Sequence, residues 1–173
     1  GTSALRPITA ALDRRARNPR WSADSKWIFF LANDRGRTKI YRVEPARRGL
    51  SGSEGIPGFP MGIGLLTTDE GINVVVPSPP SSQINNFSVG PNTGFPIVSF
   101  TLSDSLHPAE AWVAMFGRIE TAKRLSGHNE PVTRTFEFVQ PEFLSFKSFD
   151  GVRVDGWLMK PAGWRADRKY PMI

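Results

Sequence analysis

Phe143 to Ile173 reads F-L-S-F-K-S-F-D-G-V-R-V-D-G-W-L-M-K-P-A-G-W-R-A-D-R-K-Y-P-M-I, and this stretch decides how the whole chain is understood. Two runs of alternating apolar residues, Leu144 to Phe149 and Val152 to Leu158, flank Asp150-Gly151. Both turn residues tolerate positive φ, so Asp-Gly between alternating runs predicts a β-hairpin. Leu158-Met159-Lys160-Pro161 then leads through a charged connection, Ala162 to Lys169, into Tyr170-Pro171-Met172-Ile173. The last four residues are expected to begin an apolar strand, and Pro171 suits a strand's first position.

Upstream of the hairpin the pattern is one of short strands and turns. Asn18-Pro19-Arg20-Trp21-Ser22-Ala23-Asp24-Ser25-Lys26 reads as a strand end and a polar turn, and Trp27-Ile28-Phe29-Phe30-Leu31-Ala32 as a buried strand. Asn33-Asp34-Arg35-Gly36 turns the chain into a third strand, Thr38 to Val43. A weaker copy follows sixty-six residues later, with a turn at 87–94 and a strand over Phe95 to Leu102, so that Trp21-Ser22 corresponds to Phe87-Ser88. Between the copies, Glu44 to Gly64 holds six Gly and three Pro in twenty-one residues, which reads as an exposed insertion or long inter-strand loop. Ala111 to Met115, a turn at Phe116-Gly117-Arg118 and a strand from Ile119 to Leu125 complete the second meander. Residues 126–142 interrupt the strand pattern with Pro and polar residues, as a junction between domains does.

These segments carry a resemblance. The turn W-S-A-D-S-K-W-I-F-F resembles the repeat of TolB-like and peptidase β-propellers, in which a small polar turn links two strands of one blade. S-F-D-G-V-R-V-D-G-W-L-M-K-P followed by K-Y-P-M-I resembles the entry into the α/β-hydrolase domain of prolyl oligopeptidase family serine peptidases, particularly the dipeptidyl aminopeptidase and acylaminoacyl-peptidase-like branch. The stretch from His107-Pro108-Ala109-Glu110 to Leu125-Ser126-Gly127-His128-Asn129-Glu130 is similar to that branch's last blade and domain junction. The fold this implies is mainly β: a partial propeller of about two blades over residues 1–130, a junction over 131–142, and the first hairpin and strand of a hydrolase domain over 143–173.

The function implied is hydrolysis of short peptides, with release of dipeptides or acylated residues through an acyl-enzyme formed on an activated Ser. In this family a His-Gly-Gly-type loop, a Gly-x-Ser-x-Gly elbow, the Asp and the His all follow the K-Y-P strand. None of them is found in these 173 residues, so they are expected beyond Ile173 and no catalytic, cofactor-binding or metal residue is assigned here. The expected partner is a peptide substrate, no metal or organic cofactor is needed, and the isolated chain is expected to be inactive.

Composition bounds the alternatives. A content of 39% hydrophobic and 22% charged residues is that of a folded domain. Without cysteine there is neither a disulfide framework nor a zinc-thiolate site, and the compartment is left open. No apolar run approaches the roughly 20 residues of a membrane helix. The net charge of +6 is an N-terminal property: residues 1–50 carry twelve Lys or Arg against four acids. Arg14, Arg15, Arg17, Arg20, Arg35, Arg37, Arg42, Arg47 and Arg48 could neutralise phosphates, but no nucleic-acid-binding motif accompanies them. A solvated propeller rim is the favoured reading, and no nucleic acid is expected as a partner.

Other candidate sites resolve into structural roles. His107 and His128 are the only histidines, and neither follows a nucleophile elbow as a triad base must. Gly58 to Gly64 lacks the Lys-Ser/Thr ending of a phosphate loop. Asp150 and Asp155 need not converge as paired carboxylates, one being a turn residue and the other on a strand's outward alternation. Trp21, Trp27, Phe29, Phe30, Phe87, Phe95, Phe100 and Trp112, at strand spacing, are expected to pack between sheets. The alternative from a different class is a TolB-like binding module without catalysis.

Overall fold

The apolar run before Asn33 becomes a strand buried on both faces, and the rest of the architecture is arranged around it. The computed structural model describes residues 7–12, 14–45, 73–76, 82–91, 97–115 and 118–172. Four strands, β1 (Arg17–Trp21), β2 (Ile28–Asp34), β3 (Arg37–Val43) and β4 (Asn73–Val76), pair antiparallel in sequence order. Four more, β5 (Gln83–Val89), β6 (Ile97–Ser103), β7 (Glu110–Met115) and β8 (Arg118–Arg124), form a second antiparallel meander. A single parallel bridge between Thr38 and Gln83 joins the two into one eight-stranded sheet. A six-residue helix, α1 (Glu130–Thr135), follows, and then a separate two-stranded hairpin, β9 (Glu142–Lys147) and β10 (Arg153–Leu158).

Alternation along β2 and β3 sends side chains to two cores. Phe29, Leu31 and Ile40 point one way, into a cluster with Ile84, Phe87, Val98, Phe100 and Ala114 of the second meander. Phe30, Ala32, Tyr41 and Val43 point the other way, where Ile8, Leu12 and Ile28 cover them. Phe30 and Tyr41 stack with ring centroids 5.7 Å apart. Each fully buried Phe or Leu here contributes about 1.5–3 kcal/mol from apolar area removed from water. Burial on both faces explains why this strand is almost uninterruptedly apolar, as a strand covered on one side is not.

The turns are built by side chains. After β1, Ser22 is buried and its Oγ accepts from Trp27 N at 2.9 Å, while Asp24 Oδ1 accepts from Ser22 Oγ at 2.5 Å and from Lys26 N at 3.1 Å. Between β2 and β3, Arg35 and Gly36 both take positive φ, 49° and 71°, in the two-residue turn that suits strand twist.

Several expectations need correction. Phe87-Ser88-Val89 lies within β5 and Phe87 is buried, so it is not a turn. The bond Gly90 N to Ile97 O repeats Ser22 N to Trp27 O, so Gly90 is the counterpart of Ser22 and the repeat is offset by two residues. Hydrogen-bond register overrides the apparent likeness of Trp21-Ser22 and Phe87-Ser88. The Asp150-Gly151 turn has three loop residues: Gly151 N bonds to Ser148 O, Ser148 N to Val152 O, and only Gly151 takes positive φ. Asp150 accepts instead from Val152 N at 3.1 Å, a local bond that holds the wider turn.

The segment expected to interrupt the strands contains α1, whose start is marked by Asn129 at the N-cap, acidic Glu130 and Pro131 in the first turn. Tyr170-Pro171-Met172 forms no strand with any of the described residues. Most of the Glu44 to Gly64 insertion, with Gly58 to Gly64, and Phe95, Phe116, Gly117 and Ile173 lie outside the described residues.

Candidate functional site

Three arginines from distant parts of the chain meet where the β9–β10 hairpin approaches the β2–β3 turn. Arg35 and Arg37 stand at that turn, and Arg153 begins β10. With Gln140 and Pro141 they border a cleft of about 360 Å³ whose apolar wall is Phe143 and Trp157. Phe143 and Trp157 are directly paired across β9 and β10, their rings edge to face at 5.1 Å.

The approach depends on glycine. A Cβ on Gly36 would sit 2.7 Å from the indole nitrogen of Trp157, so the absence of a side chain admits the tryptophan, while the +71° φ independently favours glycine. Gln83 steadies the same turn from β5, its Nε2 donating to Gly36 O at 2.8 Å.

Charges in the cleft are unevenly matched. Arg153 Nε donates to Asp155 Oδ1 at 3.1 Å and to Ser145 Oγ at 2.8 Å, and Ser145 donates to Asp155 at 2.7 Å. The Ser145 hydrogen bond, helped by Arg153 and Arg35 against a smaller effect of desolvation, holds the Asp155 carboxyl below its usual range. Asp34 is committed elsewhere, to Lys39 at 2.5 Å and Arg14 at 3.7 Å. Burial raises its pKa, but the bond and charge of Lys39 with the charges of Arg14 and Arg35 outweigh it, leaving the carboxyl below the ordinary value. Arg37 Nε is buried without a hydrogen-bond partner among the described residues.

A second polar cluster ties the segment before α1 to the sheet. Glu110, buried at the start of β7, accepts from the Ser126 hydroxyl and from Asn129 N, the latter at 2.7 Å. Ser126 Oγ in turn accepts from Ala111 N at 2.9 Å, and Asn129 Nδ2 donates to Ala109 O at 2.8 Å. The Ser126 and Asn129 bonds keep the Glu110 carboxyl below its ordinary value against desolvation. Every donor in this cluster is consumed in joining two segments, so it is a fastening.

The remaining candidates stand apart. His107 Nδ1 is 2.9 Å from Asp104 Oδ1, which also accepts from the Leu106 and His107 amides in a local turn. His128 is exposed, and no group of three His, Asp or Glu converges as a metal site among the described residues. Asp150 and Asp155 hold the turn and the ladder separately. Of the aromatics, Phe29, Phe30, Phe87 and Phe100 are buried, Trp27 and Trp112 pack against the core, and Trp21 is 58% exposed at the end of β1.

The described basic residues of the N-terminal part have different surroundings. Arg42 is buried with its guanidinium 3.8 Å from the Trp27 ring centroid, and burial draws its pKa down to about 10 against the pull of Glu44. Arg17 donates to Asn33, and Arg35 and Arg37 belong to the cleft; Arg47 and Arg48 lie outside the described residues.

The chain is 30% identical over 155 residues to the uncharacterized peptidase YuxL of Bacillus subtilis (strain 168), which covers 90% of this chain and 19% of the relative. The chain is thus peptidase-like over nine-tenths of its length. The acylaminoacyl peptidase of Pyrococcus horikoshii has a similar fold, with a TM-score of 0.57 at 16% identity over 89% of this chain and 19% of that structure. The peptidase-like chain thus spans about a fifth of the length of each of these proteins. No protein-family model matches it.

The cleft of this peptidase-like chain was not legible in the sequence. Arg35, Arg37, Gln140 and Arg153 are separated by up to a hundred or so residues, and nothing local marks them as neighbours. The one available signal was the Arg35-Gly36 turn, whose glycine permits Trp157 to close in.

Proposed function

We propose that the protein carrying this chain is a serine peptidase of the prolyl oligopeptidase family that hydrolyses short peptides, releasing dipeptides or acylated residues. The observation that carries this reading is the 30% identity to a peptidase over nine-tenths of the chain, too long a match to be confined to the sheet or to the hairpin. In this reading the two four-stranded meanders are blades of a propeller, residues 131–142 are the junction, and the β9–β10 hairpin opens the α/β-hydrolase domain. The chemistry is attack by an activated Ser on the scissile carbonyl, with an acyl-enzyme hydrolysed in a second step.

These 173 residues contain no Gly-x-Ser-x-Gly. The role of the chain is then to shape access and to seat the catalytic domain. Its two exposed histidines, on separate loops, do not supply a base. The reading is tested by incubating the full-length protein with dipeptidyl and acyl-aminoacyl p-nitroanilides, before and after treatment with a fluorophosphonate. Turnover abolished by stoichiometric labelling of one Ser outside residues 1–173 is expected. Absence of both labelling and turnover would favour a non-catalytic binding module, and turnover by the 173-residue chain alone would overturn the assignment of roles.

A further inference from the structure

We infer that the cleft between the β2–β3 turn and the β9–β10 hairpin is a binding site for a carboxylate carried by a short peptide. Three guanidiniums, Arg35, Arg37 and Arg153, face a space of about 360 Å³, while one carboxylate, Asp155, lies beside them. Asp34, the other acid near the turn, is taken by Lys39 and Arg14. The cleft therefore keeps an excess of positive charge after its internal pairs are counted. Arg37 lines the cleft with its Nε shielded from solvent and without a hydrogen-bond partner among the described residues, so its positive charge is not met by a local acceptor at that nitrogen.

The geometry favours a planar oxyanion with an apolar attachment. Guanidinium forks match carboxylates through paired N–H···O bonds, and Gln140 adds an amide at the rim. The edge-to-face pair of Phe143 and Trp157 forms a wall for an apolar group joined to that anion. The volume suits one or two residues of a peptide. The site is also held in place: Trp157 abuts the backbone of Gly36, Gln83 fixes the same turn, and Ser145 with Asp155 orients Arg153 through its Nε. That the carboxylate belongs to a peptide rests on the peptidase reading above; that the cleft takes an anion rests on these groups alone.

The carboxylate has two sources, a peptide's C-terminus or an acidic side chain, and titration calorimetry on the full chain separates them. The probes are N-acetyl-Ala-Ala-Phe as free acid, its C-terminal amide, the amide of N-acetyl-Ala-Glu-Phe, and inorganic phosphate. The free acid is expected to bind at least about tenfold more tightly than its neutral amide, and Arg37→Gln to weaken it about tenfold. A preference for the Glu-containing amide over the free acid would assign the site to an acidic side chain. Should Arg37→Gln unfold the chain, Arg35→Gln at the exposed turn carries the same expectation, with circular dichroism as the check on folding. Equal affinity for acid and amide, phosphate binding without peptide binding, or affinity unchanged in the folded arginine variants would overturn the inference. Because binding is read without turnover, a protein lacking peptidase activity can still bear it out, and an active peptidase without this preference would refute it alone.

Discussion

The β2–β3 hairpin and the β9–β10 hairpin are both apolar β-ribbons joined by glycine-containing turns, yet one is buried on both faces and the other is open. In β2 and β3, residues from Phe29 to Ala32 and from Thr38 to Val43 are all buried. In β9 every residue is exposed, and Leu144, Phe146 and Val154 present 42%, 57% and 38% of their surface to solvent on one face. The opposite face meets the β2–β3 turn, with Trp157 against Gly36 and Phe143 and Arg153 bordering the cleft beside Arg35 and Arg37. A two-stranded ribbon by itself is marginal in water, so β9–β10 is supported by its turn, its cross-strand pairs and its approach to the β2–β3 turn. The comparison teaches that an apolar pattern gives a strand its local form, and that neighbours decide whether the pattern becomes a core.

Substitutions can break the comparison or sharpen it. Phe29→Ala, between the meanders, should cost about 3–5 kcal/mol in denaturant unfolding. Gly36→Ala should cost about 2 kcal/mol, combining left-handed backbone strain with displacement of Trp157, and should quench or shift that tryptophan's fluorescence. Gly151→Ala has the same strain, at a φ of 81°, but open space around the added methyl, so about 1 kcal/mol is expected with no change near Trp157. Phe146→Ala should fall within about 0.5 kcal/mol, as surface truncations do. A large loss there would show that the outer face of the hairpin is covered after all.

Acid should act on the fastening at Glu110. Its carboxyl is held below an ordinary value near 4.5 by Ser126 and Asn129. It therefore stabilises the fold above about pH 4.5 and loses that contribution as the pH falls through the lowered folded value. Thermal melts of the native chain and of Glu110→Gln should differ at pH 7 and converge in acid. A difference that persists unchanged to pH 3 would contradict this.

How much of this was legible in the sequence differs between the same two regions. The β2 and β3 strands and both glycine turns were readable because alternation, β-branched composition and Gly are local signals. The offset of the repeat at Gly90 was not, because register is set by the hydrogen bonds that close each turn, Gly90 N to Ile97 O and Ser22 N to Trp27 O, and not by likeness of residue type. Strand β4, Asn73–Val76, lies between the Glu44 to Gly64 insertion and the second repeat and has no assignment from the sequence, although its valines form a β-branched run. The helix α1 was overlooked because two prolines nearby read as interruption, when Pro131 sits at the helical position that tolerates it. The cleft was invisible because its charges converge only through tertiary contact.

Amide hydrogen exchange measured residue by residue tests the account most directly. The backbone amides of Phe30, Leu31, Ile40, Tyr41, Val98 and Phe100 should exchange slowly and together, near the limit of global unfolding, while those of Leu144, Phe146 and Val154 exchange much faster through local opening. Equal protection in both sets would contradict the claim that the two meanders form the core and that the β9–β10 hairpin is an open ribbon resting on Gly36.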